Sequence, residues 1–247
     1  MENYKKKLRS KSKLSLYLND VLIGLLLSDG YLERSSPTSG VRLTISFGAK
    51  HSAYLMHLFN LIEPYTNTKP TSISVYNKQT KTNNEVWRLK TVSLPQLLYY
   101  YELFYKVNLE GKFVKIIPLN IEELISPVVL ALMGDGNLKQ PDKIIRIYTN
   151  SFTLEQVNLL ALAITRKLSI VTKVVHDRNN QYIITISKSQ LSLVQELIKP
   201  HMHPSMYYKI DLEQYGSESF NYNNIPELNK FGPYCENSYD IYGARSS

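Results

Sequence analysis

Two apolar stretches, "VLIGLLLSDGYL" from Val21 to Leu32 and "VVLALMGDGNL" from Val128 to Leu138, each run greasy for most of two helical turns and then stop on Asp-Gly. Their carboxylates, Asp29 and Asp135, stand 135 − 29 = 106 residues apart. A run so apolar makes a helix buried around most of its circumference. A carboxylate at its end sits where the helix dipole is already negative and is electrostatically disfavoured. One Asp-Gly after an apolar helix is ordinarily just a turn. A second copy that opens a similar run of elements instead marks an internal repeat, and the repeat constrains the fold more than any other feature.

The elements after each motif run in parallel. In the first pass "LNDVLIGLLLSDG" reads as a helix with Asn19 or Asp20 near its N-cap, "VRLTISFG" as a strand and "SAYLMHLFNLI" as a helix. "TSISVYN" and "EVWRLKTVS" read as strands and "LPQLLYYYELFYK" as a helix. In the second pass "IEELISPVVLALMGDG" reads as one helix, "IIRIYTN" as a strand, and "FTLEQVNLLALAITRKL" as a helix with Phe152-Thr153 at its start. "VTKVVHD" and "YIITISK" then read as strands and "SQLSLVQELIKP" as the last helix. The pattern predicts an α+β protein: a basic, flexible N-terminal arm (1–17), two halves (18–118 and 119–212) and a loosely ordered tail (213–247). Arg42, Arg88 and Lys90 in the first half, and Arg146 and Lys173 in the second, occupy alternate strand positions. Each sheet is therefore expected to show one basic face and one apolar face under helices, and a twisted basic sheet can lie along the major groove of a duplex.

Charge and composition narrow the classes. The 247 residues carry 29 Lys plus Arg against 21 Asp plus Glu, a formal +8, which favours a polyanionic partner. Cys235, the one cysteine, excludes an internal disulfide and a Cys-rich zinc site. The longest apolar run, Val21 to Leu27, is far short of a bilayer span, so no membrane partner is expected. The N-terminal "MENYKKKLRSKSK" lacks the apolar core of a secretory signal. His201 and His203 in "HMHP" lack the helical i, i+4 zinc spacing and read as surface residues. No nucleophile elbow or Gly-rich phosphate loop occurs.

Small residues suggest how the two helices meet. Gly24 and Ser28 share one side of the first, and Ala131 and Gly134 could serve likewise in the second, letting the backbones approach. Packed side by side, the helices would bring Asp29 and Asp135 together at two negative dipole ends, where something positive must hold them ionised. Mg²⁺, oxygen-ligated and retaining waters, would make such a cluster a hydrolytic centre for phosphodiesters. Gly30 and Gly136 are read as permitting the sharp exit from each helix.

"IGLLLSDGYL", together with "GKFVKIIP", "YTNSFTLEQVNLL" and "LIKPHMHPSMYYKI", resembles the signature regions of LAGLIDADG homing endonucleases of the single-chain type, over roughly Leu18 to Leu212. The resemblance implies two pseudo-symmetric αββαββα halves with saddle-shaped antiparallel sheets over the major groove. It also implies metal-dependent cleavage of both DNA strands across the minor groove, leaving short 3′ overhangs. Asp29 and Asp135 become the metal-binding carboxylates, with the backbone carbonyls of Ser28 and Gly134 beside them. Lys115 and Lys209, 209 − 115 = 94 residues apart, become the basic residues near the scissile phosphates, although both could be merely solvated lysines. Mg²⁺ is the expected cofactor, with Mn²⁺ able to substitute and Ca²⁺ supporting binding without cleavage. A monomer on double-stranded DNA and a mitochondrial location follow from the same likeness.

Two positions depart from the family pattern. Pro127 to Asp135 is 135 − 127 = 8 residues, about half a turn short, and no tryptophan intervenes. Phe47 stands where a polar, water-ordering residue is common, while Asn150 lies near the corresponding place in the second half. Candidate DNA contacts are Arg42, Lys78, Lys81, Arg88, Lys90, Lys139, Lys143, Arg146, Lys173, Arg178 and Gln181, each able to meet a base edge or a phosphate. Trp87 reads as core. The rivals to a double-strand DNA endonuclease are an intron maturase binding RNA and a degenerate DNA binder, both on the same fold.

Overall fold

The computed structural model describes residues 2–10, 14–78, 80–133, 136–178 and 180–212. After α1 (Glu2–Arg9), the first half runs α2 (Leu16–Leu26), β1 (Tyr31–Arg34), β2 (Val41–Gly48), α3 (Ser52–Ile62), β3 (Thr71–Asn77), β4 (Thr82–Lys90) and α4 (Leu98–Phe104). A short hairpin, β5 (Tyr105–Val107) and β6 (Phe113–Lys115), leads to α5 (Ile121–Leu124). The second half runs α6 (Pro127–Leu132), β7 (Gly136–Lys139), β8 (Ile144–Tyr148), α7 (Leu154–Leu168), β9 (Thr172–His176), β10 (Tyr182–Ile186) and α8 (Leu191–Ile198), followed by a 3-10 segment, Pro204–Ile210. Both halves build a four-stranded antiparallel sheet with the same order, β1-β2-β4-β3 and β7-β8-β10-β9.

The repeat is thus αββαββα twice, with the apolar strand faces packed under helices. In β2, Val41, Leu43, Ile45 and Phe47 are buried, and in the second sheet Ile145, Ile147, Ile184 and Ile186 are. These residues join α2 and α6 in one continuous core.

α2 and α6 pack directly on each other at the centre of that core. A Cβ placed on Gly24 would come 2.7 Å from Leu132 Cβ and 2.7 Å from the Val129 carbonyl oxygen, so only glycine permits this approach. The residues facing Gly24 are Val129 and Leu132 rather than Ala131, because six residues of helix starting at Pro127 present those two. Gly134 lies outside the described residues. Ser126 caps α6 through its hydroxyl, which accepts from Val129 N at 3.2 Å and donates to Asp20 Oδ2 at 2.7 Å. Asp20 is buried. Its other oxygen accepts from Asn19 Nδ2 at 3.0 Å, and Asn19 in turn accepts from Tyr100 Oη at 2.8 Å.

Three sequence expectations change here. Ser15, not Asn19 or Asp20, caps α2, because the helix begins at Leu16, more than a turn before the motif stretch that opens at Val21. The stretch from Ile121 is two helices, because Pro127 cannot continue α5 and instead starts α6 behind the Ser126 cap. The N-terminal arm is not free: α1 docks, with Arg9 donating to the carbonyls of Pro64 and Thr66, both at 2.8 Å, and Lys5 pairing with Glu63. A guanidinium finds unsatisfied carbonyls just past a helix end, and the end of α3 supplies them. The tail, 213–247, including Cys235, lies outside the described residues.

Gly24→Ala should lower stability by about 1–3 kcal/mol, because neither a backbone carbonyl nor a buried Leu Cβ can give way. Denaturant unfolding checks this, with Gly48→Ala, where a Cβ meets nothing within 4 Å, as the tolerated control.

Candidate active site and nucleic-acid interface

The end of α2 is closed by its own polar groups. Ser28 Oγ donates to Gly24 O at 3.1 Å, and Gly30 N donates to Leu25 O at 2.8 Å. Gly30 is required by proximity rather than by a left-handed turn. A Cβ there would lie 2.9 Å from Leu25 O, and Gly111 is the glycine with positive φ among those described. Asp29, half-buried, sits between Ser28 and Gly30. Lys115, at the end of β6, donates from Nζ to Ser28 O at 2.9 Å and to Gly30 O at 2.7 Å. An ammonium therefore straddles the carbonyls on either side of the carboxylate, at the negative end of the helix dipole. It supplies the positive charge that such a position demands. The base of the β5–β6 hairpin is fixed there too, since Leu32 N donates to Tyr105 Oη at 2.9 Å.

Behind Asp29 lies a layer of rings. Burial, and then the charge of Asp29, push the Tyr54 hydroxyl far above its ordinary value, which keeps it neutral. Phe47 packs on Tyr54 with centroids 5.4 Å apart and on His51 at 6.2 Å, so its ring fills apolar space and orders no water. The His57 and His203 rings lie 4.8 Å apart, with Tyr54 touching both, and join α3 to the 3-10 segment of the other half. His203 is buried rather than on the surface, and its Nδ1 pairs with Ser205 Oγ at 2.7 Å. His201 is half-buried. Burial, followed by the charges of Lys50 and Lys209, lowers the His51 pKa, so Lys209 faces this layer from the second half. Nothing in the spacing of single histidines along different elements marks them as neighbours.

The second motif ends differently. α2 stays helical through its cap, Leu27 (ψ −6°), whereas the cap of α6, Met133, has turned out of the helix (ψ 89°). Gly134 and Asp135 follow, and they, with the expected meeting of the two carboxylates, lie outside the described residues. Asn150 is not the counterpart of Phe47. Tyr31 pairs with Thr44 and Asn137 with Arg146, which makes Thr149 the residue equivalent to Phe47. Thr149 is buried and its hydroxyl donates to Tyr182 O at 2.7 Å, while Asn150 is exposed beyond β8. Among the described residues no group of three or more His, Cys, Asp or Glu could hold a metal. The donors in place at α2, one carboxylate and the Ser28 carbonyl, are hard oxygens that suit Mg²⁺, which takes few protein ligands and keeps waters or substrate phosphates. Ser28 O accepts from Lys115 and retains a second lone pair.

The sheets carry the basic faces that alternation predicts. Directly opposite residues share a face, so Arg42 beside Glu33, Thr44 beside Lys90 and Ser46 beside Arg88 lie on one face of the first sheet, where Thr44 itself is buried. Arg88 Nε donates to Ser46 Oγ at 3.3 Å, and Lys90 pairs with Glu33 at 3.4 Å. On the second sheet Arg146 lies between Asn137 and Thr185, and Thr185 lies beside Lys173; Lys139 is on the same face. Asn137 donates to Tyr148 Oη at 3.0 Å. Lys139 pairs with Asp142 at 2.5 Å and Lys143 with Asp211, so these two charges are partly compensated. Lys78 and Lys81 flank the exposed tip of the β3–β4 hairpin, Arg178 is exposed in the β9–β10 turn, and Gln181 N donates to Arg178 O at 3.1 Å. Trp87 points to the helix side and packs against the core.

Comparison with known proteins bears on this arrangement. The profile of the LAGLIDADG DNA endonuclease family matches residues 19–193. The chain is 28% identical over 202 residues to the DNA endonuclease I-ChuI of Chlamydomonas applanata, covering 77% of this chain and 93% of that protein. It is 24% identical to the cytochrome b mRNA maturase bI2 of Saccharomyces cerevisiae over 85% of this chain, and spans about half, 51%, of the maturase. The fold resembles that of the homing endonuclease I-WcaI, solved bound to its DNA recognition sequence. That likeness has a TM-score of 0.73 and 24% identity over 85% of this chain and 92% of the other.

Because burial holds the pKa values of His57 and His203 near 4, below the ordinary 6.5, the folded state binds fewer protons than the unfolded chain between those values. Stability is then full above about pH 6.5 and falls as pH drops toward 4. Melting temperature measured across this range should show the loss, and His57→Gln should reduce it to the part that His203 contributes.

Proposed function

Because the chain belongs to the LAGLIDADG DNA endonuclease family, we propose that it is a homing endonuclease. In this reading it acts as a monomer on a long double-stranded target and hydrolyses both strands across the minor groove, leaving short 3′ overhangs. The observation that carries the reading is the clamp at the end of α2, where Lys115 holds the Ser28 and Gly30 carbonyls on either side of Asp29. Asp29 and the Ser28 carbonyl would hold a divalent cation, with Asp135 and the Gly134 carbonyl as the corresponding donors of the second motif. Bound Mg²⁺ or Mn²⁺ supplies Lewis-acid polarisation of the phosphodiester and a water of lowered pKa. Lys115 and Lys209 stabilise negative charge developing on the two scissile phosphates. Phe47 and Thr149, neither offering a free polar group, leave the ordering of water to backbone and substrate. Asn150 has no part in it.

Arg42, Arg88 and Lys90 on one sheet, and Lys139, Arg146 and Lys173 on the other, meet bases and phosphates in the major groove; Lys78, Lys81, Lys143, Arg178 and Gln181 reach the flanks. A mitochondrial setting belongs to the same reading. Affinity for any duplex should fall steeply with salt, by about 10³-fold or more between 50 and 200 mM if six or more phosphates are contacted.

The test is cleavage-site selection from a randomised duplex library with Mg²⁺, followed by assays on the selected site. Asp29→Asn should abolish cleavage and spare binding in Ca²⁺, and Lys115→Met should slow cleavage by about 10²- to 10³-fold with little change in binding. Retained cleavage by the Asp29 variant defeats the proposal. Two relatives are named as cytochrome b mRNA maturases. Avid binding of intron RNA without DNA cleavage would favour that second reading.

A further inference from the structure

The two sheets share their strand order but not their reach. In the second sheet β10 pairs with β8 from Ile183 to Ile186 and with β9 from Tyr182, so one rung, Tyr182 with His176, extends past the three-stranded region. In the first sheet β4 leaves β2 at Val86 but continues with β3 through four more rungs: Ser74 with Glu85, Val75 with Asn84, Tyr76 with Asn83 and Asn77 with Thr82. At about 3.4 Å per residue the overhang extends roughly 13 Å, against about 3 Å in the second half. Among the described residues no helix covers it, and residues 82–85 are exposed.

The two faces of this hairpin differ in chemistry. The face continuous with Arg88 and Lys90 carries Ile73, Val75 and Val86 in one cluster, followed by Asn84, Asn77 and Thr82, with Lys78 and Lys81 flanking the turn. Val75 is 40% exposed. The opposite face carries Tyr76, Asn83 and the hairpin's one acid, Glu85, which accepts from Ser72 Oγ at 2.7 Å. The carboxylate is thus kept off the side that continues the basic surface. A solvent-facing apolar cluster there, between two arginine or lysine zones, has no core to join. In the major groove the one apolar feature of a base edge is the thymine 5-methyl group.

We infer that the β3–β4 hairpin lengthens the N-terminal arm of the DNA site and reads thymine methyl groups at its outer end through Ile73, Val75 and Val86. Counted from the equivalent residues Arg88 and Ile183, the first hairpin runs six rungs and the second one; the difference of five rungs, about 17 Å, corresponds to roughly five base pairs at 3.4 Å rise. This rests on the endonuclease reading above and adds to it an asymmetric target with a thymine-bearing end.

The experiment uses the full chain and the duplex selected from the library. Hydroxyl-radical footprinting in Ca²⁺ should show protection reaching about five base pairs further from the cleavage centre on one side. Replacing thymidine with deoxyuridine in those outer pairs should weaken binding about fourfold per methyl in contact, the loss expected for one apolar carbon. Val75→Ser should remove the distinction between thymine and uracil there, with the hairpin exposed enough to accept serine. Equal arms, or indifference to uracil in the unmodified chain, would overturn the inference while leaving the nuclease reading intact. Failure to bind or cut any duplex would overturn both.

Discussion

Two helices that touch backbone to backbone set the geometry of this protein. At Gly24 the first motif helix comes so near Val129 and Leu132 of the second that a single carbon would collide. One end of that contact is tied by Ser126, whose hydroxyl caps α6 and also donates to the buried Asp20 of α2. Because only four residues separate α2 from β1, and three separate α6 from β7, the position of each sheet is tied closely to this pairing. The layout of basic residues on the sheets is therefore secondary to the contact between the helices.

The same contact creates an electrostatic problem and limits the ways to solve it. A carboxylate at the negative end of a helix dipole requires a compensating cation. In the first half Lys115 supplies one, tethered by the β6 strand to the carbonyls around Asp29. Rings lie behind the site, with Tyr54 held neutral and the His57–His203 pair joining the halves. The two motifs are not equal, since α6 is six residues long and its cap has already left the helix at Met133. Quasi-symmetry in the chain order therefore coexists with different local geometry at the two helix ends.

Much of the frame is legible in the sequence because it depends on periodicity. Alternation in "VRLTISFG" sorts Arg42 from Leu43, and the repeated motif gives both sheets the same order. Gly24 is legible as a point of close approach, but its opposite number is not, because the start of α6 depends on the break at Pro127. Positions set by register across strands are harder: Asn150 and Thr149 are adjacent in sequence, and the pairing of Asn137 with Arg146 decides between them. Contacts between distant elements leave no local trace. His203 looks like a loop residue until α3 brings His57 against it, and the N-terminal lysines look like a free arm until Arg9 meets the carbonyls after α3.

The account stands or falls on the joint between the central helices, and a double-mutant cycle on Asp20 and Ser126 probes it most directly. Asp20→Ala, Ser126→Ala and the double variant would be compared by denaturant unfolding of the whole chain. The account predicts that the pair is coupled, the double variant losing about 1–2 kcal/mol less than the sum of the singles. Strict additivity would mean that the two side chains do not meet, and that the helices are not joined as described.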